Sequence, residues 1–271
     1  MSDFGVFYKC FKETKAIEHS LESLFSFYPK CPVYLVSDGG NDYSYLEEKY
    51  PTLKAIQGDD NRGWMLSPGG CSDIVFQFKV PEIHERFRAT HRVMLERIKS
   101  AVDYCDKKHM LFMEPDVLVR GELTIPPDSH LLGVVPQPNI DYSAGWVDVL
   151  REVEGANLTV GWSWPIIFSS EAFSKMYSFV NENDDVLRKI LLSDLRPGIA
   201  DDVWIPILLG AAGYKQEHNP EVTECNRNPG WKTSHHPLVH EYREKYPKAG
   251  EDSVGRHTAE EHVKDQDVRK V

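Results

Sequence analysis

Two carboxylates, Glu114 and Asp116, stand on either side of Pro115 at the end of the apolar run His109-Met-Leu-Phe-Met113. An acid-x-acid step offers hard oxygen donors at i and i+2. Mg²⁺ and Mn²⁺ take such oxygens at about 2.0–2.2 Å and fill the rest of their shell with water and phosphate oxygens. A diphosphate is therefore the natural ligand of a cation held there. Further along, Asp201-Asp202-Val-Trp-Ile-Pro206 has the composition of a helix start. Because proline is tolerated in a first turn, the helix is predicted to begin near Asp202 or Val203. Carboxylates at that point are favoured by capping and the helix dipole alone, and one aimed into a cleft can also act as a general base toward a hydroxyl.

The segment Thr233-Ser-His-His-Pro-Leu-Val-His240 supplies three imidazoles, of which one can complete a Mn²⁺ shell begun by Asp116. Asp38 precedes two glycines and reads either as a turn former or as an acceptor for a base or ribose hydroxyl. Arg88 and Arg92, four residues apart, can flank a diphosphate or pair with Glu85 and Glu96 on a solvated face. Trp146, Trp162 and Trp164 can stack on sugar rings or fill a core.

These residues need a frame. Residues 109–113 are apolar without alternation, the pattern of a central strand covered on both faces, and Pro115 should end its pairing near Met113. Residues 4–11 read as a first strand. From Thr14 the period becomes helical, with Ile17, Leu21, Leu24, Phe25 and Tyr28 on one face, and Pro32–Ser37 is the next strand. Such a βαβ unit is predicted to be a right-handed crossover in a parallel sheet. A short helix at 43–50, a strand at 53–57 and a long helix over 83–105, striped by Phe87, Met94, Ile98, Ala101 and Cys105, complete the first half. Residues 61–80 read as a functional loop, and so does the Gly/Trp-rich stretch 139–164. Strands at 131–135 and 165–168 and helices at about 170–180 and 186–195 follow. Open α/β sheets bind ligands outside the carboxyl ends of their strands, which is where Glu114, Asp116 and Asp38 fall.

The chain has 271 residues, enough for one α/β domain with a tail, and a formal net charge of −11. With no basic block to meet phosphates, nucleic acid is excluded as a partner, and an anionic ligand needs a metal. Five cysteines, far apart and without a C-x-x-C pair, indicate neither a disulfide framework nor a zinc site. Without a leader pattern or an 18-residue apolar run, the expectation is a soluble cytoplasmic protein with no transmembrane segment. Residues 248–271, charged and free of aromatics, are expected to be a disordered tail.

In their order, these parts resemble a glycosyltransferase of the GT-A fold over about residues 4–240. The resemblance implies an α/β, Rossmann-like, mostly parallel central sheet flanked by helices, in a single domain over 1–247, with a nucleotide-binding half (about 1–120) and an acceptor-binding half (about 121–247). It implies Asp116 as principal ligand of Mn²⁺ or Mg²⁺ with Glu114 assisting, Asp38 at the nucleobase, and Asn61-Arg62-Gly63 as a nucleotide-side loop. It further implies Gly161-Trp162-Ser-Trp164 as the acceptor loop, Asp201-Asp202 as the acidic pair whose second member is the base of inverting enzymes, and His235 or His236 as a metal ligand. Glu-Pro-Asp in place of Asp-x-Asp, and Asp201 in place of a glutamate, depart from the family pattern.

The activity implied is transfer of a sugar from a nucleoside-diphosphate donor, a UDP-sugar first, to a hydroxyl of a glycan or glycoprotein. Two alternatives use the same frame: a sugar-1-phosphate nucleotidyltransferase, and a glycan-binding module without catalysis. Against the former, no glycine-rich phosphate loop with a following Lys or Arg lies near the first strand.

Overall fold

The computed structural model describes residues 3–10, 14–38, 40–58, 81–115, 117–133, 145–160, 165–193, 201–219, 221–224 and 237–240. The first unit is strand β1 (Phe4–Cys10), helix α1 (Thr14–Phe27) and strand β2 (Val33–Asp38), followed by one helical turn, α2 (Leu46–Lys49), and strand β3 (Leu53–Gly58). The periodicity of α1 has its expected consequence, since Ile17, Leu21 and Leu24 are fully buried. Helix α3 (Pro81–Cys105) is the longest. Asp106, at φ +46°, ends it and turns the chain into β4 (His109–Met113).

After β4 come two short strands, β5 (Leu118–Val119) and β6 (Leu131–Gly133), then helix α4 (Gly145–Glu152) and strand β7 (Ile166–Ser169). Helices α5 (Ser170–Glu182), α6 (Asp184–Ser193) and α7 (Asp201–Ala211) follow, with strands β8 (Glu217–His218), β9 (Val222–Glu224) and β10 (Leu238–His240) closing the described chain. Ser169 caps α5, its hydroxyl accepting from Ala172 N–H at 3.0 Å. Gly213, at φ +93°, stops α7, and Tyr214 N–H returns to the Leu209 carbonyl at 3.0 Å.

Among the described residues seven strands form one sheet in the order β3-β2-β1-β4-β7-β6-β8, and β5, β10 and β9 form a second, small sheet. In the large sheet β7 runs against both of its neighbours, and the other strands share one direction. This is the α/β, mostly parallel architecture expected from the sequence. It draws strands from both halves of the chain. β4 is its middle strand and is buried along its whole length, as an unbroken apolar run requires.

Register assigns side chains to faces. Val6, Tyr8 and Cys10 look toward α1, where the Tyr8 hydroxyl meets Ser20 at 2.8 Å. Gly5, Phe7 and Lys9 look the other way, toward α3. A Cβ on Gly5 would come within 2.4 Å of the Cys105 Cβ, so glycine lets α3 lie close on β1.

Three sequence expectations change. Residues 139–164 are not all loop: 145–152 is helical and buries Trp146, Val147 and Leu150, so Trp146 is a core residue. Helix α7 begins at Asp201, leaving Pro206 in its second turn rather than its first. Complete burial of Trp204, Ile205, Ile207, Leu208 and Leu209 offsets the missing backbone hydrogen bond. The helix expected over 43–50 is a single turn.

Cys10, Cys31 and Cys105 are buried, with no disulfide between them. Among the described residues no helix is long and apolar enough to cross a membrane.

Candidate active site

Because β1, β2, β3, β4, β6 and β8 point one way, their carboxyl ends lie on one edge of the sheet. Asp38 is the last residue of β2 and Glu114 follows the last residue of β4, so register brings both to that edge. β7 runs the other way and begins opposite Phe112, so the chain that enters it arrives at the same edge.

The acid-x-acid span is anchored at both ends. Val117 N–H donates to the Glu114 carbonyl at 3.1 Å. Ser20 Oγ donates to the Val117 carbonyl. Its single proton is thereby used, so the Tyr8 hydroxyl must be the donor in its bond to Ser20. Burial pushes the Tyr8 phenol well above its ordinary pKa, which keeps that proton in place. On the other side, Lys9 Nζ lies 3.6 Å from Glu114 Oε1, and the two side chains are 8% and 35% exposed. Tyr8 is the register partner of Met113, so Lys9 and Glu114 are the next cross-strand pair and share the face toward α3.

The same face carries α7. His91 of α3 meets Trp204 of α7 edge to face, with ring centroids 5.0 Å apart at 73°. α3 descends from the carboxyl edge to Cys105 over Gly5, near the start of β1. At a rise of about 1.5 Å per residue, His91 stands about 21 Å above Cys105, beyond the roughly 13 Å that the five residues of β4 span. Trp204 therefore docks at the level of the edge, and Asp201 and Asp202 are the first residues of that helix.

Arg92 is corrected. Its guanidinium donates to Asp184 Oδ1 at 3.1 Å from Nε, to Asn181 Oδ1 at 2.6 Å and to the Val180 carbonyl at 2.9 Å. The break between α5 and α6 exposes these acceptors, and the planar fork staples α3 to it rather than facing a diphosphate. Glu96, its alternative partner in the sequence reading, accepts from the Tyr177 hydroxyl instead.

Asn61, Arg62, Asp116, Gly161, Trp162, Trp164, His235 and His236 lie outside the described residues, as do the 61–80 loop and the tail. Lys9 was not singled out by motif. The signal was a lysine inside Phe-Gly-Val-Phe-Tyr-Lys-Cys, a charge in a strand that is otherwise apolar.

As a metal donor, Glu114 is a hard oxygen at the carboxyl edge of the sheet and partly open to solvent, which fits Mn²⁺ or Mg²⁺. Among the described residues no group of three or more His, Cys, Asp or Glu side chains is placed to hold a metal ion.

No protein-family model matches the sequence, and no curated protein matches it. Solved structures similar to it include a galactosyltransferase, LgtC, in complex with donor and acceptor sugar analogues, at 12% identity over 87% of this chain and 86% of that one, with a TM-score of 0.46. Core-mannan synthase A of Aspergillus fumigatus in its Mn/GDP form has 9% identity over 80% of this chain and 73% of that one, with a TM-score of 0.44. The mannosyltransferase PcManGT from Pyrobaculum calidifontis, in complex with GDP-Man and Mn²⁺, has 14% identity over 74% of this chain and 55% of that one, with a TM-score of 0.37.

Proposed function

We propose that the protein is a divalent-metal-dependent glycosyltransferase that moves a sugar from a nucleoside-diphosphate donor, a UDP-sugar in the first instance, to a hydroxyl of a glycan or glycoprotein. The observation that carries the reading is the position of Glu114. It follows the middle strand of a mostly parallel sheet at the carboxyl edge, on the face where α7 docks with Asp201 and Asp202 in its first turn.

In this reading Asp116 and Glu114 face the donor diphosphate, with His235 or His236 as a further metal ligand. When bound there, Mn²⁺ or Mg²⁺ neutralises charge developing on the leaving diphosphate. Asp38, with Asn61 and Arg62, contacts the nucleoside. Trp162 and Trp164, beside Gly161, offer indole faces to the acceptor. Asp202, with Asp201 beside it, takes the proton from the acceptor hydroxyl as that oxygen attacks the anomeric carbon, and the outcome is inversion. The nucleotide half is then about 1–120, the acceptor half about 121–247, and 248–271 a tail outside the domain.

The test is release of nucleoside diphosphate from UDP- and GDP-sugars with Mn²⁺ and a panel of glycan acceptors. Asp202→Asn is expected to lower transfer by about 10²–10⁴-fold while the fold and nucleotide binding persist. Unchanged transfer in that variant would remove the base assignment. Pyrophosphate release from a sugar phosphate and a nucleoside triphosphate would replace the reading with nucleotidyl transfer.

A further inference from the structure

Lys9 stands one residue before the end of β1, beside the middle strand and against the first acid of the motif. Its side chain is 8% exposed, its Nζ is 3.6 Å from Glu114 Oε1, and it also lies 6.0 Å from the centre of the Phe112 ring. In a chain of formal net charge −11 a lysine enclosed among strand ends does nothing for solubility, and an apolar residue would fill the space without the desolvation that an ammonium suffers. What distinguishes the site is the choice of partner, an acid of the Glu114-Pro115-Asp116 motif itself.

We propose that Lys9 is a positioning residue of the donor site. Its ammonium holds Glu114 back, leaves Asp116 as the carboxylate that meets a free cation, and so makes Mn²⁺ binding depend on the diphosphate that arrives with it. This rests on the donor-site reading above. The ion pair is formally neutral, so Glu114 adds little attraction for a lone divalent cation, and the ammonium repels one at short range. A nucleoside diphosphate reverses that balance. Its oxygens supply negative charge to both cations at once, and Lys9 then helps to neutralise the phosphate rather than opposing the metal. In this reading the two acids of the motif have different duties: Asp116 binds, and Glu114 answers to Lys9 until the donor enters.

The test is a Mn²⁺ titration followed by the electron paramagnetic resonance signal of the free ion, without nucleotide and then with saturating UDP or GDP, on wild type, Lys9→Met and Lys9→Arg. Wild type and Lys9→Arg are expected to hold Mn²⁺ weakly alone and tightly with nucleotide. Lys9→Met, close in volume and uncharged, is expected to hold Mn²⁺ alone about tenfold more tightly or better, with a smaller gain from nucleotide. Equal affinity for Mn²⁺ alone in wild type and folded Lys9→Met overturns the role of Lys9.

Should Lys9→Met not fold, Lys9→Gln decides on the same readout: Mn²⁺ alone held about tenfold more tightly than by wild type supports the role of Lys9, and equal affinity overturns it. A wild type that binds Mn²⁺ with neither nucleotide overturns the donor-site reading and this inference with it. Nucleotide-coupled binding in wild type that Lys9→Met leaves unaltered overturns the inference alone.

Discussion

Ser169→Ala is expected to destabilise the fold by about 1 kcal/mol, because the hydroxyl accepts from Ala172 N–H at the start of α5 and also meets His130 Nδ1 at 2.9 Å. In a chain of this length that lowers the thermal midpoint by about 2 °C, readable by calorimetry. His109 should give the stability a pH dependence. Its Nε2–H donates to the Ser129 carbonyl at 3.0 Å, and burial holds its pKa below the ordinary 6.5. The unfolded imidazole takes up a proton more readily than the folded one. The contribution is therefore fully present above pH 6.5 and is lost as pH falls from there toward the lowered folded value. His109→Gln is expected to flatten the fall of the denaturation midpoint between about pH 7 and pH 5. The cap at Ser169 and the acid at Glu114 could both be read from local sequence, because each acts on its immediate neighbours. The partner of Lys9 could not, since only strand register brings Glu114 beside it. The acceptors of Arg92 were hidden for the same reason, lying at a helix break far along the chain.

Helices α3 and α7 position the site through two contacts that can each be removed. Gly5→Ala would drive a Cβ into Cys105, and α3 would have to shift; an overpacking loss of about 1–3 kcal/mol is expected from chemical denaturation. Trp204 is fully buried and meets His91, so Trp204→Ala is expected to lose about 3–5 kcal/mol. In whatever fraction remains folded, transfer should fall further than nucleotide affinity, because α7 carries the proposed base and none of the proposed nucleotide contacts. Equal losses in the two would argue against α7 as the catalytic helix. At this scale the long periodic helices and the apolar strands were legible, since α1, α3 and β4 repeat their pattern over enough residues to be recognised. Helix α4 was not, because eight residues inside a glycine- and tryptophan-rich stretch give barely two turns of pattern. β8, β9 and β10, of two or three residues each, are defined only by the strands beside them.

Among the described residues, the large sheet gathers the ends of six of its strands on one edge, where the proposed site lies. Parallel β1, β2 and β4 deliver Lys9, Asp38 and Glu114 to it, and α3 and α7 meet on the same face above it. The central claim, a nucleotide site that works through a divalent cation, is tested most directly by thermal unfolding of wild type and Asp116→Asn with UDP and GDP, each with and without Mn²⁺. Ligand at about 100 times its dissociation constant adds about 2.7 kcal/mol, which should raise the midpoint of a chain this long by about 5 °C. The account predicts such a shift in wild type only when nucleotide and Mn²⁺ are present together, and none in Asp116→Asn. A wild type that no nucleotide stabilises, with or without Mn²⁺, would contradict it and leave Glu114 and Asp116 as an ordinary strand exit.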